Sequence, residues 1–209
     1  MRLQRYGIEL ESLSENHIEM VRLWRNQDFV RSNMQYQGLL SRDDQQAWFN
    51  GLDAERNLYW LIRFKEYPIG LIHIKNLSDD LLSGEAGIFI GEPSYLEMPQ
   101  PMLAIIFMME LAFEALGMTE LKAKIKSGNT HAINFNEKLG YRLIPNQPVG
   151  FQYYSATKKQ FGLASSDLRK SAGKMFGDST GFDTLNSEGI KKTVLNSILA
   201  NPYFKSFAL

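Results

Sequence analysis

The chain has 209 residues, a length that suits one α/β domain with an appendage or two small domains. Hydrophobic residues make up 44% of it and charged residues 22%, as in an ordinary globular protein. Lys+Arg and Asp+Glu each number 23, so no net field favours nucleic acid or an anionic membrane as a partner. The chain has no cysteine, which excludes disulfides, thiolate nucleophiles and cysteine-ligated metal sites.

Other sequence signals disfavour several further classes of protein. The histidines His17, His73 and His131 lie far apart, so we expect no metal site. No G-x-S-x-G motif presents a hydrolase serine. The N-terminus lacks an apolar signal region, and the most apolar stretch, 102–113, contains Glu110 and is shorter than the ~20 residues of a membrane span. We therefore expect a cytoplasmic protein without a membrane or nucleic-acid partner.

The N-terminal quarter of the chain predicts one strand and two helices. Ile8–Ser12 alternates in polarity, which indicates a half-buried strand. Ser14 can cap a following helix. We expect the apolar face of this helix to consist of Ile18, Val21, Leu23 and Trp24. Ser41 is a good cap for a second helix, because two aspartates follow it at the positive end of the helix dipole.

A meander of three strands is predicted next. Leu58–Phe64 and 69–74 are rich in β-branched and aromatic residues and flank a turn at 66–68, which is typical of a hairpin. A polar loop then leads to a third strand at 85–90. The period of two in these segments predicts that they lie side by side.

The next segment predicts a central helix at 102–116 that is closed by Gly117. This helix is apolar nearly all round, so we expect neighbours to cover it on two sides. The remaining predicted elements of the domain are a strand at 119–126, a helix capped by Asn129 or Thr130 that runs through Lys138, and strands at 141–144 and Phe151–Thr157.

The composition changes beyond Lys159. We expect a domain over residues 1–159 and a C-terminal extension over 160–209 that is Gly- and Ser-rich and then helical. Short helices are predicted at 166–175 and 187–199. The extension either packs on the domain or becomes ordered against a partner.

The block K-S-G-N-T-H-A-I-N-F-N-E-K-L-G-Y at 126–141 resembles the N-x-x-A-I-x-x-x-E-K-L-G-[FY] signature of the GNAT superfamily of acyl-CoA-dependent N-acetyltransferases. E-A-G-I-F-I-G at 85–91 resembles its fourth strand, and L-A-F-E-A-L-G-M at 111–118 resembles the end of its central helix. W-R-N at 24–26 and the S-R-D-D-Q-Q-A-W-F segment resemble a branch with amino-sugar nucleotide acetyltransferases, and ribosomal-protein N-terminal acetyltransferases are its neighbours. The resemblance covers about residues 6–158. It implies a mixed α/β fold with a mostly antiparallel sheet whose fourth and fifth strands splay apart.

The resemblance also implies acetyl-CoA as the co-substrate and no metal. Pantetheine would lie in the splay and pair with the backbone of 87–91, and an amide near Phe89 or Ile90 would stabilise the thioester oxyanion. The pyrophosphate would lie on free N–H groups where the central helix begins. The cofactor-binding residues implied are Phe89, Ile90, Gly91, Met98, Gln100, Met102, Leu103 and Asn129.

Catalytic and acceptor residues follow from the same resemblance. Glu85 corresponds to a glutamate that acts as base, directly or through water, and Asn136 stands where many members have a tyrosine acid. The implied substrate-binding residues are Trp24, Arg25, Asn26, Arg31 and Met34. Five of the candidate residues have an alternative role: Glu85 as a solvated carboxylate, Asn129 as a helix cap, Asn136 as an exposed polar side chain, Trp24 as a core residue and Arg25 as the partner of a carboxylate.

The pyrophosphate loop departs from the family pattern [QR]-x-x-G-x-[GA]. Both glycine positions hold proline here, Pro99 and Pro101, the usual basic residue is missing, and Glu97 adds a negative charge. Proline has no N–H to donate to a phosphate. The amides of Met98, Gln100, Met102 and Leu103 would remain available.

Three functions remain open at this point. The first is acetyl transfer from acetyl-CoA to a primary amine of a small molecule such as an amino-sugar nucleotide. The second is acetylation of a protein N-terminus, which would need a groove open to a peptide. The third is a degenerate GNAT-fold binding module without acyl transfer, which the two loop prolines favour. Dimers are common in the superfamily, so a homodimer is a further expectation.

Overall fold

Nine strands form a single sheet in the described part of the chain, which in this computed structural model comprises residues 2–176 and 183–186. The strands are β1 (Arg2–Arg5), β2 (Ile8–Ser12), β3 (Leu58–Phe64), β4 (Tyr67–Lys75), β5 (Ser83–Ile90), β6 (Glu120–Lys126), β7 (Arg142–Leu143), β8 (Phe151–Thr157) and β9 (Asp183–Asn186). Their order across the sheet is β7-β8-β6-β5-β4-β3-β2-β1-β9.

Seven α-helices accompany the sheet over the same described residues. They are α1 (Ile18–Asn26), α2 (Asp28–Arg31), α3 (Arg42–Asn50), α4 (Gln100–Glu110), α5 (Thr130–Lys138), α6 (Lys158–Ala164) and α7 (Ser166–Phe176). A π-helical turn, Leu111–Ala115, continues α4. The predicted mixed α/β architecture is thereby confirmed.

The sheet is antiparallel except between β5 and β6. These two strands are joined by α4, which supplies the long connection that a parallel pair needs. Their pairing ends at Ala86 opposite Ala123, although β5 continues to Ile90 and β6 to Lys126. The expected splay between the fourth and fifth strands of the family is therefore present as a gap between β5 and β6.

The central helix has the predicted burial. All eleven residues of α4 except Met102 are buried. The sheet and the segments that follow β8 cover this helix on more than one side. Gly117 follows it at φ +72°, the left-handed conformation that ends many helices. The helix begins at Gln100, two residues earlier than predicted.

One buried acid interrupts this apolar helix. Glu110 is 1% exposed, and its Oε2 accepts a hydrogen bond from Arg5 Nε at 2.6 Å. Its Oε1 accepts hydrogen bonds from the Tyr6 hydroxyl at 3.0 Å and from Arg169 Nε at 2.6 Å. The network links the β1–β2 hairpin, α4 and α7.

The structure also corrects several of the predicted elements. β1 and α2 were not predicted, and Leu23 is 54% exposed instead of lying on the apolar face of α1. The hairpin turn lies at Lys65 and Glu66, which both have positive φ, as a two-residue type I′ turn requires. The strand predicted at 141–144 covers only Arg142–Leu143. A predicted helix at 166–175 is present as α7, and the one at 187–199 lies outside the described residues.

Gly140 illustrates how tightly α6 lies against the domain. Its φ is +95°, and a Cβ there would lie 2.7 Å from the Gln160 carbonyl oxygen. We expect Gly140→Ala to lower the free energy of unfolding by about 1–3 kcal/mol, through backbone strain and this overlap. Gly162 in α6 has open space around its Cβ position, so Gly162→Ala should raise the same quantity by about 0.5–1 kcal/mol. Urea denaturation of both variants checks the pair, and a Gly140→Ala protein as stable as wild type would contradict it.

Candidate active site

A cavity of about 1100 Å³ opens where β5 and β6 separate. Its wall includes residues of α1, the 33–36 loop, β3, β4, β5, the 96–98 loop, the start of α4, β6 and α5. The cavity thus lies at the site that the splay predicts. Of the candidate residues, it brings together Arg25, Met34, Glu85, Phe89, Ile90, Met98, Met102, Asn129 and Asn136.

The backbone of β5 supplies unpaired polar groups to this cavity. The Gly91 amide donates to the Ile69 carbonyl at 2.9 Å, and in an antiparallel pair every second residue directs both backbone groups to the same side. Phe89 therefore directs its amide toward β4, whereas Ile88 and Ile90 direct theirs into the gap. Of the two amides suggested for the oxyanion, only that of Ile90 faces the gap.

Fewer amides are free at the start of α4 than the sequence predicts. The Met98 amide donates to the carbonyl three residues before it at 3.2 Å, and the Leu103 amide to the carbonyl four residues before it at 3.0 Å. The expectation that these two remain available is therefore wrong. The amides of Gln100 and Met102 donate to no acceptor within residues 2–176. Pro101, which lies between them, has no N–H group.

Two asparagines of α5 face the cavity. Asn129 caps the helix, because its side-chain oxygen accepts from the Ala132 amide at 3.0 Å, so the capping interpretation is confirmed. Asn136 is 8% exposed, and its Nδ2 donates to the Ala132 carbonyl at 2.8 Å. Beside it Tyr141 is fully buried, and its hydroxyl has no partner among the described residues.

A group of ionisable side chains lies at the β3–β5 end of the cavity. Glu85 forms an ion pair with Lys75, whose Nζ is 3.0 Å from Oε1. The Tyr59 ring packs against the His73 ring, with centroids 4.9 Å apart. Gly87 lies beneath the imidazole, and a Cβ there would be 2.6 Å from it. The small residue in β5 therefore makes room for the ring.

The surroundings fix the protonation states of this pair. Burial, together with the positive charges of Lys75 and Arg25, lowers the pKa of His73 to about 3. Burial and the negative Glu85 raise the pKa of Tyr59 to about 12. At neutral pH the imidazole is therefore uncharged and only weakly basic, and the phenol keeps its proton.

Arg25 in α1 lies in the wall of the cavity near Tyr59. Its Nη1 is buried and has no partner, and within the described residues the side chain makes neither a hydrogen bond nor an ion pair. Burial lowers the pKa of its guanidinium. The alternative of an ion pair with Asp28 is not realised, because Asp28 pairs with Arg31 instead.

Six candidate residues lie outside the cavity wall. They are Trp24, Asn26, Arg31, Gly91, Gln100 and Leu103. The Trp24 indole is buried against Gly91 and donates to Glu92 at 2.9 Å. The Asn26 side chain bonds both backbone groups of Leu40. The Trp24 and Asn26 side chains therefore support the wall from behind.

Sequence reasoning did not identify Tyr59, His73 or Lys75 as residues of the site. In the structure, the register places Tyr59 opposite His73 and Lys75 opposite Glu85. Residues two apart on a strand share a face. An alignment of the hairpin anchored on the turn at 65–66 would pair Tyr59 with Ile72 instead, because a bulge between Ile62 and Arg63 shifts the register by one residue.

Two features do not occur in the described ranges, 2–176 and 183–186. No helix there is long and apolar enough to cross a bilayer. No cluster of three or more His, Asp or Glu side chains that could hold a metal ion occurs there either.

Comparison with solved structures returns the same fold repeatedly. An AAC(6')-Ib structure in complex with ribostamycin and coenzyme A is 17% identical, with TM-score 0.65, covering 74% of this chain and 96% of that one. The spermidine N-acetyltransferase from Vibrio cholerae, in complex with CoA and spermine, is 14% identical with TM-score 0.65, covering 75% and 99%. A ribosomal-protein α-N-acetyltransferase in complex with coenzyme A is 11% identical with TM-score 0.62, covering 72% and 94%. At these identities the likeness is one of fold.

The family assignment rests on the sequence. A search of curated proteins by sequence gives no match. Residues 8–142 match the family model of the acetyltransferase (GNAT) domain, a span that includes the β5–β6 splay and the cavity around it. The chain therefore belongs to the GNAT acetyltransferase family.

Proposed function

We propose that this protein transfers an acetyl group from acetyl-CoA to a primary amine of a small molecule, such as an amino-sugar nucleotide. The observation that carries the proposal is the gap between β5 and β6, where the backbone groups of Ile88 and Ile90 open into a cavity of about 1100 Å³. An extended pantetheine arm can add to such an edge as a strand does. The neighbours of the same fold were solved with CoA bound, which supports the choice of co-substrate.

The residues present fit the two ends of acetyl-CoA unequally. The thioester end fits well, because the Ile90 amide is directed into the gap and can stabilise an oxyanion there. At the pyrophosphate end the amides of Gln100 and Met102 are free, but only Met102 belongs to the cavity wall, and Glu97 adds negative charge there. We therefore expect binding to depend mainly on the pantetheine contacts.

Removal of a proton from the amine is best assigned to Glu85 acting through water. His73 is a weak base at a pKa of about 3, and Tyr59 at about 12 keeps its own proton. The Glu85 carboxylate lines the cavity and is oriented by Lys75. Asn136 cannot supply a proton to the leaving thiolate, so we assign that step to solvent.

The pyrophosphate loop provides the first test. Calorimetric titration of acetyl-CoA should show binding by the wild-type protein. The Pro99→Gly/Pro101→Gly variant should bind about ten- to a hundredfold more tightly, because two N–H donors to a charged group are gained against some loss of chain rigidity. Glycine at both sites also restores the two small-residue positions of the family's loop pattern.

The outcome separates the enzyme from a degenerate binding module, which the two prolines favour. Binding by the wild-type protein, followed by transfer to an amine in a screen of acceptors, supports the enzyme. Absence of binding in the wild type with binding in the glycine variant would mean that the cofactor site has been lost during divergence. Absence of binding in both would contradict the proposed function.

A further inference from the structure

The Arg25 guanidinium in the wall of the cavity carries a partly buried charge that has no hydrogen bond or ion pair among the described residues. It projects from the last turn of α1, and its Nη1 has no solvent-exposed area and no hydrogen bond. A cation in this position is unfavourable unless it acquires a partner. The Nη1 group is therefore a buried donor without an acceptor among the described residues.

The acids of the cavity do not supply that partner. Three carboxylates line it: Asp44, Glu85 and Glu97. Asp44 accepts hydrogen bonds from the backbone and side chain of Ser41. Glu85 is held by Lys75, and none of the three forms an ion pair with Arg25. The Arg25 charge therefore remains available to a bound molecule.

The aromatic ring that lies near Arg25 is packed between two others and offers a hydrogen-bond donor to an anion. The Tyr59 ring is held between Trp48, edge-on at 5.3 Å, and His73 at 4.9 Å. Its phenol stays protonated and can donate a hydrogen bond beside the guanidinium. Arginine binds carboxylate and phosphate through two parallel N–H donors in a fixed plane. The same wall contains Glu85, to which we assign the amine proton.

We propose that Arg25 binds a carboxylate or phosphate that the acceptor carries close to its amine, so that the acceptor is an amine with a negative charge of its own. The inference rests on the proposed function only in taking this part of the cavity as the acceptor side. A polycation would need several unpaired acids in the wall. Glu97, at the opposite end near α4, is the one lining carboxylate for which no partner occurs in residues 2–176.

Matched amines test the inference. Glucosamine is compared with glucosamine 6-phosphate, pentylamine with 5-aminopentanoate, and spermidine serves as the polycation. For each amine, kcat/KM is measured with acetyl-CoA as co-substrate. Its affinity is measured by calorimetry in the presence of CoA. The wild-type protein should favour an anionic member of a pair by about tenfold or more. The phosphate and carboxylate pairs then identify which anion is preferred.

Three variants locate the effect. Arg25→Gln should reduce the preference to within about threefold, and Arg25→Lys should keep part of it, because lysine retains the charge without the planar fork. Arg42→Gln is the control, since Arg42 is 80% exposed and lies outside the wall, and it should keep the full preference. Arg25→Gln should not lower Tm, because no structural partner is lost.

The results separate the inference from the function on which it rests. Preferential binding of an anionic amine without any acetyl transfer would support the anion site and contradict the enzyme. Transfer to neutral amines or spermidine without an anionic preference would support the enzyme and overturn the anion site. A preference that persists in Arg25→Gln would also overturn it, as would equal loss of affinity for both members of each pair.

Discussion

Glu110→Ala is expected to lower the free energy of unfolding by about 3–5 kcal/mol. The carboxylate is 1% exposed and accepts hydrogen bonds from Arg5 and Arg169, each at 2.6 Å, and from the Tyr6 hydroxyl at 3.0 Å. Alanine would remove the anion that Arg5 and Arg169 share and leave their two positive charges close together. A buried charge that loses its partner is destabilising even where the pair itself contributes little.

Urea denaturation followed by circular dichroism measures this change. Glu120→Gln is the control, because Glu120 and Lys122 form a solvent-exposed pair at 3.6 Å, and its loss should change the free energy by less than about 1 kcal/mol. A loss below about 1 kcal/mol in Glu110→Ala would mean that both arginines reach water once the acid is removed. Combining Glu110→Ala with Arg169→Ala should give less than the sum of the single effects.

This network lies largely outside the part of the chain that matches the family. The match spans residues 8–142, whereas Arg5, Tyr6 and Arg169 lie before or after it. The family domain supplies only the acid, on its central helix. We infer that α6 and α7, at the start of the extension that we place at 160–209, belong to the same folding unit as the domain.

The elements that could be predicted are those set by local pattern. The β-rich composition of Leu58–Phe64 and the cap at Asn129 identify their elements without any knowledge of neighbours. β1 was not predicted, although the turn that joins it to β2 is also a local feature. Tyr6 and Gly7 both have positive φ, and a short two-residue turn there allows Arg2–Arg5 to pair with Ile8–Ser12.

The parts of the site that could not be predicted depend on register and on tertiary packing. Whether an amide of β5 faces the gap is decided by the Gly91–Ile69 hydrogen bond, and a shift of one residue would exchange Phe89 for Ile90. Trp24 lies behind the wall because Gly91 leaves space for its indole. No spacing in the sequence encodes either contact.

Arg25 is an intermediate case. Its position on α1, beside the buried Trp24, predicts that it is near the core but not whether it is paired. The structure shows that Asp28, the acid nearest in sequence on the C-terminal side, is taken by Arg31. Whether a partly buried charge has a partner can be decided only when all of its neighbours in the fold are known.

Glu85→Gln is expected to lower kcat for acetyl transfer by about 10²–10⁴. Glutamine keeps the size of the side chain but cannot accept a proton. The two nearby alternatives are poor bases, since His73 has a pKa of about 3 and Tyr59 remains protonated up to about 12. Affinity for acetyl-CoA, measured by calorimetry, should change little, because Glu85 lies at the end of the cavity away from the start of α4.

The pH dependence separates a base from a positioning residue in this prediction. As the pH rises through the pKa of the acceptor amine, a growing fraction of that amine has already lost its proton, so the deficit of Glu85→Gln should shrink. Glu97→Gln is a matched control in the same wall, and it should alter KM for acetyl-CoA and leave kcat nearly unchanged. A Glu85→Gln enzyme within about threefold of wild type would show that solvent alone removes the proton. A large deficit that is constant with pH would instead assign Glu85 to orienting the acceptor.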